Sequence, residues 1–264
     1  MFGGFQIARP YGIPLKLHWT VFIFLPYMAT FFAKKDLVPS PWWGALAVIG
    51  ILISVAVHEL GHSLVARGRG FPVHSIVLTP VGGVAFLSRS PRRSNDEISI
   101  AIAGPLVSIA VAVLLWFGAY GIWELGMPAL ASTIQVIGAV NLGLAIFNML
   151  PCFPMDGGRV FRAWQAKRVG RLEATRRAVK LGKYFAIFFA IYGLFNNLFL
   201  VVIAFVVWQA AAAEYRMVQM QERPAFNPFA GFIDPLSIFR GVPPQQPRPP
   251  EVIDVEVGPP PYQK

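Results

Sequence analysis

The stretch ALAVIGILISVAVHELGH, residues 45–62, decides the fold class of this chain. It begins as an unbroken run of apolar and small residues and closes on His58-Glu59-Leu60-Gly61-His62. A run of this kind enters a bilayer. On a helix, residues four apart project from one face, so both imidazoles reach a single Zn²⁺ at about 2.0 to 2.1 Å. Glu59 stands beside the pair, where a carboxylate takes a proton from a water that the metal acidifies. The bland alternative is a pair of core histidines with a structural salt link. Burying two histidines and a glutamate in a lipid-facing helix is costly unless they share a partner, and ionisable groups at that depth are functional by default. The metal reading prevails, and the chemistry it implies is hydrolysis inside a membrane.

Composition agrees. Hydrophobic residues make up 55% of the chain and charged residues only 14%, outside the range of ordinary soluble domains. Apolar segments cover residues 17–33, 44–66, 98–120, 129–150 and 178–213. The first four reach or approach the roughly 20 residues that cross about 30 Å of hydrocarbon. The fifth is long enough for two spans turning at Asn196-Asn197, or for one steep helix. The first is read as an uncleaved anchor, because no small-residue cleavage site follows it and Lys34-Lys35 lies on its far side. The expected fold is an all-α polytopic membrane protein with about six transmembrane helices.

Lysine and arginine set the orientation. With both termini in the cytoplasm, Arg9, Lys16, Arg67, Arg69, Arg89, Arg92, Arg93, the cluster over 159–183 and the tail all lie inside, and only Lys34 and Lys35 lie outside. The positive-inside rule predicts this imbalance, so the net charge of +10 belongs to topology and a bilayer, with no nucleic acid as partner. The basic loop has no aromatic interleaving beyond Phe161 and Trp164, which argues against a nucleic-acid face.

A zinc site with two histidines needs a third protein ligand and an open position for water. Among the 13 acidic residues, the apolar segments and their immediate ends are read as holding only Glu59 and Asp156, so Asp156 is the expected third ligand. Its setting supports this. Residues 148–159 read NMLPCFPMDGGR: two prolines stop the fourth span, and two glycines permit a tight turn or close backbone approach. Irregular backbone at membrane depth survives only when packed in protein or lining a wet cavity. The competing role for Asp156 is an N-cap of a helix starting near Gly158.

The segment 58–62 together with 148–158, which matches N-x-x-P-x-x-P-M-D-G-G, resembles the site-2 protease family of intramembrane zinc metalloproteases. Residues 12–20, 80–85 and 102–108 also look like family segments, so the resemblance covers most of residues 10–215. It implies one zinc ion per chain on His58, His62 and Asp156, Glu59 as general acid/base, and Asn148 positioning the substrate or polarising its carbonyl. It implies further that the second and fourth spans meet at the metal. The implied partners are membrane-anchored protein substrates, such as an anti-sigma factor or a tethered transcription regulator. A zinc transporter, or a metal-binding scaffold without proteolytic activity, is the alternative; neither has a use for Glu59 beside the ligands.

The 93 residues between His62 and Asp156 are taken up by two spans and short loops, leaving no room for a PDZ insertion. Domain boundaries are expected as 1–215 for the metalloprotease unit and 216–264 for a proline-rich, disordered cytoplasmic tail, too short for a pair of CBS repeats. Residues 70–87 hold two β-rich runs parted by Thr79-Pro80 and Gly82-Gly83, a membrane-associated β-hairpin or sheet next to the metal. In the family such strands imply an edge for substrate, since an unwound helix must re-pair its amides. His18 and His74 read as interfacial or packing histidines, and Cys152 as the lone cysteine, without a disulfide partner.

If residues 178–213 form a helical hairpin, a reporter fused after Tyr215 faces the same side of the membrane as one inserted at Arg168. Accessibility labelling of the two fusions on opposite sides would establish an odd number of spans between them.

Overall fold

The computed structural model describes residues 4–222 apart from 81, 90, 92 and 197. Of the tail expected over 216–264, residues 216–222 are helical and the proline-rich remainder lies outside the described residues. Seven helices follow in order: α1 (Thr20–Lys34), α2 (Pro41–Gly68), α3 (Ser94–Glu124), α4 (Pro128–Asn148), α5 (Asp156–Val169), α6 (Arg171–Asn196) and α7 (Leu198–Glu222). Four strands, β1 (Gly4–Ala8), β2 (Leu15–His18), β3 (Val73–Thr79) and β4 (Gly82–Leu87), form one sheet.

Among the described residues, five helices are long and apolar enough to cross a membrane: α2, α3, α4, α6 and, over Leu200–Glu222, α7. They make this a multi-pass membrane protein. The expected count of about six is matched only in part: beside these five stands one shorter apolar helix, α1, whose 15 residues cover only about 22 Å at 1.5 Å per residue. The reason lies in the sheet, because the start of the first apolar run is spent on β2 instead of on helix. The outer faces carry large exposed apolar side chains such as Trp42, Phe117 and Phe195, as suits helices whose solvent is lipid.

Helix contacts rest on small residues. A Cβ on Gly44 would strike the Ala29 carbonyl, so α1 and α2 cross backbone to backbone there. A Cβ on Gly193 would meet Leu200 Cβ and the Val201 nitrogen at 2.9 Å. Residues 171–222 therefore fold as a tight hairpin of α6 and α7, and the single steep helix is excluded.

The expected hairpin of β3 and β4 is present, paired antiparallel from Val73↔Leu87 to Thr79↔Gly82. It is half of a larger sheet of order β1-β2-β3-β4. The other half comes from the N-terminal residues, with β2 parallel to β3 and antiparallel to β1. One face of the sheet, Ile13, Leu15, Ile76 and Leu78, packs on Ala56 of α2. Parallel pairing of β2 with β3 needs a crossover, and α1 with α2 supply it. The two strands flanking that crossover meet at the C-terminal end of α2, where the histidines lie.

A second polar centre lies away from the histidines. Arg162 of α5 donates from Nε to Glu97 Oε1 at 2.7 Å, pairs with the same oxygen through Nη2, and reaches Glu214 of α7 at 2.7 Å. Arg162 is 4% exposed and Glu97 5%. This corrects the reading that Glu59 and Asp156 are the only acids in or beside the apolar segments: Glu97 opens the third one, and its charge is tolerated because α5 brings a guanidinium to it. The same guanidinium lies 4.7 Å over the Phe153 ring, tying the loop before α5 to α3 and α7.

Replacing Arg162 with leucine leaves Glu97 charged and buried without its cation. The expected cost is about 3 to 5 kcal/mol, read as a fall in the unfolding midpoint of the protein in detergent micelles. Pairing that change with Glu97→Leu should restore most of the loss, since an apolar replacement of the buried pair is close to neutral and Glu214, its side chain 20% exposed, is left where water reaches it.

Candidate metal centre

His58 and His62 lie in the last third of α2, one helical turn apart, and are 3% and 5% exposed. Asp156 is the first residue of α5 and 8% exposed. Their ligand atoms converge: His58 Nε2 is 3.1 Å from His62 Nε2, and Asp156 Oδ2 is 3.3 Å from the first and 3.1 Å from the second. The competing N-cap role of Asp156 is not observed, because Met155 holds the cap position without a side-chain cap bond and the Asp156 carboxylate turns to the imidazoles.

Both rings are oriented from behind by α3. His62 Nδ1 donates to the Ile100 carbonyl at 2.7 Å, and His58 Nδ1 lies 2.9 Å from Ser108 Oγ. In the tautomer that places Nδ1–H toward these oxygens, neutral imidazoles turn bare Nε2 lone pairs toward one another and toward a carboxylate. Three acceptors pressed together without a proton between them repel, and a cation relieves the repulsion. Tetrahedral coordination at about 2.0 to 2.1 Å separates donor atoms by about 3.3 Å, close to the three separations found here. Two imidazoles and one carboxylate are also the donor set of a catalytic zinc site with one position left open. The residues present fit zinc.

Glycine makes the convergence possible. Ile100, Gly104 and Ser108 recur at intervals of four on α3, forming the stripe that faces α2. A Cβ on Gly104 would overlap both imidazoles. The loop that delivers Asp156 depends on the same economy: a Cβ on Gly157 would overlap the Met149 and Leu150 carbonyls, and one on Gly158 would come within 2.6 Å of the Cys152 carbonyl and the Phe153 nitrogen. From the other side, Gly182 of α6 lets the Phe153 carbonyl lie directly on the helix, and Phe153 N donates to Ala178 O at 3.2 Å. The centre of the irregular segment, Cys152 and Phe153, is thus packed in protein, as membrane depth demands, while Met149 and Pro151 stay exposed.

The remaining candidates fall into two groups. Glu59 sits against the backbone of β4, where a Cβ on Gly83 would meet its Cδ at 3.0 Å and Oε1 at 3.1 Å; the sheet thereby holds the carboxylate beside the three ligands. Asn148 ends α4, and its Nδ2 donates to the Leu144 carbonyl at 2.9 Å, back along its own helix. His18 bonds Thr20 and His74 bonds Ser88, and neither belongs to the cluster. Cys152 is buried and has no disulfide partner among the described residues. Sequence reading missed Ile100 and Ser108 as histidine partners. The available signal was the pair Gly104-Pro105 inside an apolar span, which marks a close backbone approach.

Residues 46–127 and 121–193 match the pattern of peptidase family M50. A zinc metalloprotease of Methanocaldococcus jannaschii is 35% identical over 219 residues, which cover 82% of this chain and 62% of that protein. Rip3 of Mycobacterium tuberculosis is 31% identical over 238 residues, covering 82% of this chain and 60% of its own length. The chain spans about three fifths of the length of these curated relatives. The solved structure of the site-2 protease from Methanocaldococcus jannaschii aligns with a TM-score of 0.62 at 32% identity, over 81% of this chain and 96% of that one.

The space at Gly104 and the bond at Ser108 are separable. Gly104→Val should abolish metal retention, because its side chain occupies the place of the imidazoles. Ser108→Ala should keep the fold and weaken metal affinity by about 10- to 100-fold. Metal content after dialysis against graded chelator measures both.

Proposed function

The chain belongs to peptidase family M50, the site-2 proteases, and from that membership we propose that it is a zinc-dependent endopeptidase cutting peptide bonds within or beside the bilayer. The observation that carries the proposal is the convergence of two Nε2 lone pairs and one carboxylate oxygen, with a further carboxylate, Glu59, held next to them by β4. His58, His62 and Asp156 would hold the ion. Zinc, when bound, supplies a Lewis acid that polarises the scissile carbonyl and makes water acidic near neutral pH. Glu59 takes the proton of the attacking water and returns it to the leaving amine. Asn148 turns its amide from the Leu144 carbonyl to the developing oxyanion.

Getting a helical substrate to these groups is the harder problem. A transmembrane helix hides its amides in i to i−4 bonds, so it unwinds before it is cut. The outer edge of β4 is the end of the sheet order, and it offers the released groups a strand to pair with. Substrates are membrane-anchored regulatory proteins, such as an anti-sigma factor or a tethered transcription regulator, released by cleavage. Residues 1–215 form the protease unit and residues 216–264 an appended tail, with both termini in the cytoplasm, where arginine and lysine concentrate.

The division of labour at the metal is testable in purified protein. Glu59→Gln should retain about one zinc per chain and lose about a thousandfold or more in cleavage of a single-span substrate. His58→Ala and Asp156→Ala should lose the zinc as well as the activity. Loss of zinc from Glu59→Gln would contradict the assignment of Glu59 as base.

A further inference from the structure

One turn deeper than the ligands, a cleft of about 170 Å³ opens between α2, α4 and the turn joining β3 to β4. Its walls include Ile51, Val55 and Leu144, and its polar groups are Ser54, Thr79 and Asn141. The hydroxyls have used their protons, Ser54 Oγ donating to Gly50 O at 2.9 Å and Thr79 Oγ1 to Gly82 O at 2.8 Å, and one of the two Nδ2 hydrogens of Asn141 goes to Ile137 O at 2.8 Å. Asn141 is 1% exposed, and its Oδ1 has no hydrogen-bond partner among the described residues. A buried carbonyl oxygen without a donor is costly at this depth. The unpartnered side-chain atom of the cleft is thus an acceptor, and what complements it is a hydrogen-bond donor attached to apolar bulk.

Its position says which donor. Ser54 and Val55 precede His58 and Glu59 by one turn of α2, and Gly82 on the rim adjoins Gly83, which touches the Glu59 carboxylate. A substrate chain lying beside Glu59 passes this cleft. When its helix opens, each unwound residue brings exactly one new donor, its backbone N–H, together with a side chain that is apolar in most transmembrane segments. We propose that this cleft is a substrate subsite that takes the first unwound residue on the bilayer side of the scissile bond, with Asn141 Oδ1 accepting that residue's N–H. The assignment rests on the proteolytic reading of the neighbouring site. It gives Asn141 a share in stabilising the unwound state, so helix opening is helped by a fixed acceptor as well as by the edge of β4.

The test uses single-span peptides in bicelles, N-methylated at one backbone amide at a time, with two readouts. These are binding to the full-length Glu59→Gln protein and cleavage by the unaltered protein. One methylated position should weaken both by about fivefold to tenfold. Asn141→Leu should weaken both equally for the unmethylated peptide and add nothing for that methylated one. Its unfolding midpoint should change little, since loss of the Nδ2 bond to Ile137 O is offset by replacing an unpaired buried acceptor with an apolar group of similar size. Asn141→Ala serves as a second variant and should show the same dependence on peptide methylation. Equal losses on every peptide, methylated or not, would overturn the subsite and indicate a held water instead; no loss on any peptide would also overturn it. Peptides that bind in an Asn141-dependent way but are never cleaved would sink the proteolytic reading and keep the subsite, whereas cleavage indifferent to Asn141 would sink the subsite alone. A protein that neither binds nor cuts them refutes both.

Discussion

Three lone pairs held about 3 Å apart inside a membrane protein set the terms for everything around them. Two imidazole nitrogens and a carboxylate oxygen repel when nothing stands between them, and the surrounding apolar packing offers little screening. The arrangement persists because each ligand is fixed from outside the cluster: α3 orients both imidazoles through Ile100 and Ser108, and the clamped loop before α5 aims the carboxylate. A cation then gains from an arrangement whose organisation is already met by packing.

The same problem recurs at the other polar positions. Arg162 and Glu97 are buried together and extended to Glu214, so that a charged pair joins α3, α5 and α7 near the start of α3. The chain between α4 and α5 gives up helical bonds through Pro151 and Pro154, and its freed backbone is enclosed by Gly157, Gly158 and Gly182. In each case a polar group at depth is matched within the protein, as the low dielectric requires. Asn141 Oδ1, with Ser63 Oγ and Arg171 Nε, departs from this pattern among the described residues, and of the three Asn141 lines the cleft next to the place where a substrate must come apart.

The sheet joins the two halves of the site. Its inner face packs on α2 through Ile76 and Leu78, while the backbone of β4 at Gly83 lies against Glu59. Positioning the base by a strand and the ligands by helices separates the two tasks. A substrate strand added at the edge of β4 would extend the element that holds the base, which brings a scissile bond to Glu59 by register instead of by a side-chain pocket.

What the amino-acid sequence determined alone is whatever depends on spacing along one element. His58 and His62 share a face because a helix repeats every 3.6 residues, and apolar runs of about 20 residues announce spans. Two prolines and two glycines around Asp156 announce a loop that must be packed, and that acid was legible as a ligand because so few acids lie near apolar segments. The first apolar run misled on length, since part of it pairs as β2 with a strand more than fifty residues away. Likewise Ile100 and Ser108 behind the imidazoles, Gly83 against Glu59, and Glu97 beside Arg162 emerged only when helices and strands distant in sequence came together. Local periodicity says which face of an element is special; which neighbour meets that face is a matter of packing among all of them, and only the assembled fold decides it.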